Sequence, residues 1–229
     1  MLPGFIIVRS SRWRIFGGGR GIVVEEWDML NNLHIDALRE IGNIGAGNAA
    51  TSLANLLNKR IDMTVPWAGV LPLKEITTLV GKEEEPVACI EFSVSGSIMS
   101  KILFLLDESS CYLLIDLLLG RPQGTTKSLD KMGISVLKEV GNVVTGSFLS
   151  AFAGFCQMSL KPTVPAFAFD MLGAVLSSAF IEGGYFSDKA LVVENGFFGE
   201  EIKIKGHFFL IPENEALEKI FNSLGLSLV

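Results

Sequence analysis

A long segment of this chain occurs twice, and this duplication is the feature that most constrains its fold. The first copy runs from Leu33 to Pro66 and the second from Ile134 to Pro165. Five positions keep the same order and differ by 99 in residue number, so that Asp36, Glu40, Asn43, Gly47 and Pro66 match Ser135, Glu139, Asn142, Gly146 and Pro165. A repeat this long predicts two copies of one unit, each presenting nearly the same side chains.

Each copy begins with the pattern of an amphipathic helix. At about 100° per residue, the matched positions from Asp36 to Gly47 fall within a sector of roughly 60°, with apolar residues opposite. A polar stripe on a single helix is usually only a solvated face. Here the neighbouring apolar residues change from Ala to Phe between the copies, whereas the Glu and the Asn keep their spacing. The duplicated stripe is therefore a candidate functional surface.

The spacing of these residues resembles a known signature. Asp or Ser, three residues, Glu, two residues, Asn, twenty-two residues and Pro is similar to the motif of the CheC/CheX/FliY family of bacterial chemotaxis phosphatases, and it occurs twice without a departure. The resemblance extends from about Asn31 to Val229. It implies a phosphatase that removes the aspartyl phosphate of the response regulator CheY.

The resemblance also implies a role for each matched residue. Asn43 and Asn142 position the attacking water, and Glu40 and Glu139 pair with a lysine of the receiver domain. The remaining positions support the motif: Asp36 and Ser135 at the helix starts, Pro66 and Pro165 in the strand beside each helix, and Gly47 and Gly146 where the partner needs room. Asp36 and Ser135 exchange between the copies, which favours a helix cap or dipole partner over a nucleophile. No cofactor of its own is expected, since the receiver holds the Mg²⁺.

A binding or regulatory function is the alternative. Family members that partner the receptor glutamine deamidase CheD carry an aspartate just after the strand of the second copy, and Asp170 matches that position. The same aspartate could instead cap a helix that begins at Met171. A flagellar switch component is a third possibility, which we consider less favoured because no further switch domain is expected after residue 229.

Bulk properties exclude several other classes. The net charge of −6 argues against nucleic acid as a partner. No apolar window is long enough and free enough of charge for a membrane span. The three cysteines are Cys89, Cys111 and Cys156, and their spacing fits neither disulfides nor a metal site, so reduced, buried thiols in a cytoplasmic protein are expected.

Two further motifs are set aside. Gly45, Gly47 and Ala50 match a dinucleotide fingerprint, but the segment before them is a charged helix rather than a buried strand. The small residues are better explained by close packing on a neighbouring helix or by a flat partner surface. His34 and His207 lack partners at ligand spacing, so no metal site is expected.

Residues 1–30 lie outside the repeat. This N-terminal extension carries basic and aromatic residues that could touch a membrane surface. Alternatively it is disordered, or it is an over-extended start with Met29 as the true initiator. Mass spectrometry of the native protein distinguishes the last possibility, because a peptide from residues 1–28 would rule it out.

The rest of the chain, residues 31–229, is predicted to form one domain from two repeats, about 31–122 and 128–229. Each repeat should contain a long helix, three strands and a closing helix, with an added apolar helix near 171–180 in the second. Hairpins between the strands favour a mostly antiparallel sheet. We therefore predict an α/β (α+β) fold with pseudo-twofold symmetry and two long helices that carry the site.

Overall fold

A computed structural model describes residues 14–15, 23–24, 30–182, 189–199, 202–213 and 215–227. The helices are α1 (Asn32–Leu57), α2 (Leu73–Val80), α3 (Glu108–Leu118), α4 (Lys131–Phe155), α5 (Leu172–Glu182) and α6 (Ala216–Ser223). The strands are β1 (Arg14–Ile15), β2 (Val23–Val24), β3 (Asp62–Pro72), β4 (Pro86–Gly96), β5 (Ser100–Asp107), β6 (Leu160–Pro162), β7 (Ala166–Met171), β8 (Lys189–Gly199) and β9 (Ile202–Pro212).

The main sheet interleaves the strands of the two repeats. Its order is β3-β8-β9-β5-β4, and β6 and β7 both pair with the far edge of β4. Every pairing between the described strands is antiparallel. The first strand of each repeat thus pairs with the hairpin of the other repeat, while β5 and β9 meet at the centre. The predicted mixed fold with an antiparallel sheet is confirmed.

Helices cover both faces of this sheet. The larger hydrophobic core lies under α1, α3, α4 and α6, and the smaller one lies under α2 and α5. Sequence reasoning missed α2, whose buried Ile76 shares the smaller core with Leu172 of α5. The helix predicted near 171–180 is present as α5, but it is not specific to the second repeat, because α2 lies on the same face in the first repeat.

The long helices begin with polar caps that precede the predicted ones. The Asn31 side chain accepts hydrogen bonds from the N–H groups of Leu33 and His34, and the Asp130 side chain accepts one from Gly133. These bonds satisfy N–H groups that have no partner within the helix. Asp36 and Ser135 lie one turn further on, so the capping role predicted for them was wrong.

The segment between the repeats is fixed by a buried acid. The Asp116 carboxylate of α3 accepts hydrogen bonds from the N–H groups of Thr125 and Thr126 and from the Thr126 hydroxyl, at 2.9, 3.0 and 2.6 Å. Burial alone would raise the pKa of Asp116, but these bonds outweigh it and hold the pKa below its usual value. The start of α4 is thereby tied to α3.

Most of the proposed N-terminal extension, residues 1–30, lies outside the described residues, which here include only β1, β2 and Leu30. No helix within the described ranges has an apolar run long enough to cross a membrane.

All three cysteines are buried and unpaired, as expected. Burial raises the pKa of Cys111 to about 12 and that of Cys156 to about 11.

Glycine allows the two long helices to pack closely. A Cβ atom on Gly45 of α1 would lie 2.6 Å from Cδ2 of Phe148 in α4. The Phe148 ring cannot easily move away, because it is buried and stacks on Phe208 with 4.8 Å between ring centroids. Gly47 lies two residues further along α1, about half a turn away. A Cβ atom on Gly47 would meet nothing within 4 Å.

We expect Gly45→Ala to lower the free energy of unfolding by about 1 to 2 kcal/mol, because overpacking outweighs the gain in helix propensity. The matched variant Gly47→Ala should raise it by about 0.5 to 1 kcal/mol, since it gains propensity without a clash. Chemical denaturation of both variants measures the difference. Equal stabilities would contradict the close contact between α1 and α4.

Candidate functional site

The two polar stripes lie on neighbouring helices over the same face of the sheet. The Ser52 and Ser147 hydroxyls of α1 and α4 are 2.6 Å apart, which places the helices in direct contact. Leu38 and Ile41 of α1 are buried in the larger core, as are Leu137 and Val140 of α4. Amphipathic packing therefore turns the opposite face of each helix outward.

The structure exposes nearly all of the predicted helical site residues. Those exposed to solvent are Asp36, Glu40, Asn43 and Gly47 on α1, and Ser135, Glu139 and Asn142 on α4; Gly146 is half-buried. Each helix therefore brings its Glu and its Asn together on one accessible surface, within one turn of each other. We call these surfaces stripe 1 (residues 36–47 of α1) and stripe 2 (residues 135–146 of α4).

The Glu and Asn side chains of the stripes keep their hydrogen-bonding capacity. Among the described residues, no partner forms a hydrogen bond or ion pair with Glu40, Asn43, Glu139 or Asn142. Neighbouring polar groups are engaged within α1: the Asn48 amide donates to the Ile44 carbonyl at 2.9 Å. The stripe carboxamides can therefore donate to one group and accept from another on a docked partner.

Asp36 differs from the other acids of stripe 1. Its Oδ1 atom lies 3.1 Å from Nη1 of Arg39, and both side chains are more than half exposed. An exposed ion pair of this spacing contributes little to stability. Ser135, at the matching position of α4, carries no charge, so the negative charge of the aspartate is not a shared requirement of the two stripes.

A glycine beside each Asn was missed by sequence reasoning. Gly141 precedes Asn142 and is buried against β4, where an added Cβ atom would lie 2.6 Å from Cγ2 of Ile90. Gly42 precedes Asn43 in the same register and is also buried. This glycine sets how closely α4 approaches the sheet and thus the height of the next side chain. Its recurrence 99 residues apart was the signal that could have identified it.

The surface around the stripes is open rather than enclosed. Neither Gly47 nor Gly146 has any neighbouring atom within 4 Å of an added Cβ position. A groove of about 560 Å³ runs between α1 and α4, lined mainly by small polar residues: Asn48, Thr51, Ser52, Ser147 and Ser150. The groove is too open to enclose a small substrate as a binding pocket would.

The two motif prolines both lie where strand pairing is interrupted. Pro66 lies within β3, between Thr64 and Trp67, where the register with β8 shifts. Its side chain is outside the described part of the chain. Pro165 is half-buried in the break between β6 and β7. A proline has no N–H to offer a sheet, which explains an interruption at both positions.

Asp170 lies at the edge of the sheet, in a strand that belongs to neither stripe. It is exposed in β7 opposite Val87, and its Oδ1 atom accepts a hydrogen bond from the Met171 N–H at 2.7 Å. This bond forms before α5 begins at Leu172, so it does not cap the first turn of that helix. The side chain of Met171 is 50% exposed.

The histidines take structural positions. His34 is buried, accepts a hydrogen bond from the Asn31 N–H and packs its ring against Phe221 at 4.6 Å between centroids. Burial lowers the pKa of His207 to about 4, so it stays neutral at physiological pH. Within the described ranges, no three His, Cys, Asp or Glu side chains come together as metal ligands would.

Comparison with known proteins reveals relatives over most of the chain. The model of the CheC-like family matches twice, at residues 33–68 and 132–168. The CheY-P phosphatase CheC of Bacillus subtilis is 37% identical over 85% of this chain and 95% of that protein. The flagellar motor switch phosphatase FliY of the same organism is 32% identical over 125 residues. These residues make up 54% of this chain but only 32% of FliY.

A solved structure shares the fold. The crystal structure of FliY from Thermotoga maritima superposes with a TM-score of 0.71 at 19% identity, over 86% of this chain and 98% of that one. At this identity the likeness concerns the fold alone. The identity to CheC over most of both chains, together with two matches to the family model at the segments that carry the stripes, shows that this chain belongs to the CheC-like family.

Proposed function

We propose that this chain is a cytoplasmic phosphatase that hydrolyses the aspartyl phosphate of the chemotaxis response regulator CheY. One observation carries the proposal: two Glu/Asn pairs, at matching positions of a repeat, stand exposed on rigid helices with their hydrogen-bonding capacity unused. The relatives named CheY-P phosphatase CheC and flagellar motor switch phosphatase FliY support the same activity. The stripes would each receive one receiver domain.

The chemistry of the substrate explains why so few groups are needed. An aspartyl phosphate is an activated acyl phosphate, and its receiver site supplies Mg²⁺ and a lysine. Transfer of the phosphoryl group to water needs in-line geometry and charge stabilisation more than it needs a new nucleophile. What remains is to hold a water molecule on the line of attack. The Asn43 and Asn142 carboxamides, which both donate and accept, perform this orientation.

The glutamates fix the register of docking. Glu40 and Glu139 lie three residues before the Asn, nearly one helical turn away, so a lysine that meets the carboxylate places the phosphate near the carboxamide. A charge-assisted hydrogen bond to an ammonium group is stronger than one between neutral groups. Gly47 and Gly146 leave room on the far side of the Asn for the receiver backbone.

We expect Asn43→Ala and Asn142→Ala each to remove the contribution of one stripe. The double variant should lower the acceleration of phosphate loss about a hundredfold, because the attacking water is no longer oriented. Phosphate release from phosphorylated CheY, measured at saturating CheY, reports this loss. Binding of CheY should change much less than turnover.

Asn48→Ala is the matched control. Its amide is exposed on the same helix but off the stripe, and it bonds to the Ile44 carbonyl. This variant should keep the rate of the unmodified protein. If the double variant Asn43→Ala with Asn142→Ala kept that rate as well, the assignment of the carboxamides would be wrong.

Glu139→Lys should abolish binding at stripe 2, because it sets a cation against the lysine of the receiver. Measured in the Asn43→Ala protein, where only stripe 2 works, Glu139→Gln should raise the KM for phosphorylated CheY roughly tenfold to a hundredfold through loss of a charged hydrogen bond. Glu139→Lys should remove saturation altogether. A KM unchanged by the charge reversal would contradict the proposed pairing.

We also propose a second function, as a binding partner of the deamidase CheD. The observation that favours it is the exposure of Asp170 beside the half-exposed Met171, on the edge strand β7, which belongs to neither stripe. A surface separate from the stripes would allow CheD and CheY to be bound by the same chain. The mixed apolar and acidic character of this edge suits a protein partner.

Asp170→Ala should weaken capture of purified CheD at least tenfold in a pull-down titration, since a charged contact at an interface is lost. Asp62→Ala is the control, because Asp62 is an exposed aspartate on the opposite edge strand, β3. Equal capture by the Asp170 variant and the unmodified protein would reject this residue as a contact. Failure of the unmodified protein to capture CheD would reject the second function.

A further inference from the structure

Two large apolar side chains are exposed at matching positions of the repeat. Leu33 of α1 is 60% exposed and Met132 of α4 is 57% exposed, and their residue numbers differ by 99, as do those of the stripe residues. Leu33 lies three residues before Asp36 and seven before Glu40, on the same side of the helix. Each stripe therefore has an exposed apolar residue at its N-terminal end.

The structure of the helix ends does not account for these residues. A hydrophobic staple uses the residue before the cap and the fourth helical residue, which are Leu30 and Ile35 in α1. Leu30 and its counterpart Leu129 do pack against the core, whereas Leu33 and Met132 remain outside it. In the first turn of a helix the dipole favours a carboxylate, yet neither α1 nor α4 has an acidic residue there.

The exposed apolar character is kept between the repeats although other properties of the stripe are not. Asp36 is replaced by the neutral Ser135, while Leu33 is replaced by Met132, a side chain of similar volume and hydrophobicity. Among the residues whose side chains the structure describes, six large hydrophobic side chains are at least 40% exposed, and Leu33 and Met132 form a pair related by the repeat. A shared function at both positions explains this better than chance.

We propose that Leu33 and Met132 are apolar docking anchors for the receiver domain, one at the N-terminal end of each stripe. The proposal rests on the proposed function and extends its docking surface by one turn. The length from Leu33 to Gly47 is about 21 Å. This length fits within a standard interface, which buries about 800 Å² on each partner. An apolar contact at the end of a polar stripe supplies affinity that the solvated Glu and Asn cannot.

The anchors act on binding and leave the chemical step unchanged. An interaction made equally in the ground state and the transition state lowers KM without changing kcat. The apolar contact is also insensitive to salt, unlike the contact between Glu139 and the lysine of the receiver. These two properties distinguish an anchor from the Asn and from the Glu of the same stripe.

The test measures each anchor where its own stripe works alone. Met132→Ser is made in the Asn43→Ala protein and Leu33→Ser in the Asn142→Ala protein, and phosphate release from phosphorylated CheY is followed at two salt concentrations. We expect each serine variant to raise KM about fivefold to thirtyfold at both salt concentrations, with kcat unchanged. Met132→Leu should keep the KM of its parent.

Met99→Ser is the matched control, because Met99 is 48% exposed in the β4–β5 turn, outside both helices. It should leave KM unchanged, and chemical denaturation checks that all variants are folded. Parents that accelerate phosphate loss while their serine variants keep the same KM would overturn the anchors alone. Failure of the unmodified protein to accelerate phosphate loss would overturn the proposed function itself. A serine variant that altered the oligomeric state and not KM would assign these residues to contact between copies of the chain, and would also overturn the proposal.

Discussion

The close approach of α4 to the sheet and to α1 is the constraint on which the site depends. It requires glycine at Gly141, which faces Ile90 of β4, and at Gly45, which faces Phe148. A helix held at van der Waals contact along its buried face cannot rotate without breaking that packing. Since Asn142 follows Gly141 directly, the burial of the glycine fixes the direction and height of the carboxamide. The same pair of residues recurs in α1 as Gly42 and Asn43.

The interleaved sheet gives both helices the same kind of support. Each repeat lends its first strand to the hairpin of the other, so neither repeat completes its own sheet. An aromatic column joins the halves at the centre: the ring of Phe148 stacks on Phe208, and Phe208 stacks on Phe104 at 4.7 Å between centroids. This column links α4 to β9 and β5. The orientation of one stripe is therefore coupled through the core to strands of both repeats.

The sequence was sufficient to predict those features that are carried by periodicity or repetition. The two long helices, the antiparallel pairing and the outward stripes follow from the apolar patterns and from the duplicated spacing, and the structure places the Glu and Asn residues on the exposed side. Helix α2 was not predicted, because its eight residues include two adjacent threonines that lower helix propensity and because its buried face is seen only once the sheet is assembled.

The errors at the helix starts have a different cause. Asp36 and Ser135 were interpreted as caps because residues of this type are favoured at helix N-termini, but Asn31 and Asp130 belong to the same class and lie nearer the true ends. Propensity alone does not choose among several possible caps. Leu30 and Leu129 make the choice, because their contacts with the core fix where the chain enters α1 and α4.

A site that completes another protein's reaction lacks the usual marks of an active centre. It has no deep cavity, no cluster of metal ligands among the described residues and no buried catalytic acid. In the proposed mechanism its contribution is geometric, since a catalytic constellation must be held to within about 0.5 Å of the productive geometry. A long helix clamped by glycine contacts can provide this precision even with every functional side chain in solvent. In the proposed mechanism the order of residues along the stripe then divides the work: apolar and acidic groups at the N-terminal end govern docking, and the carboxamide beyond them governs the chemical step.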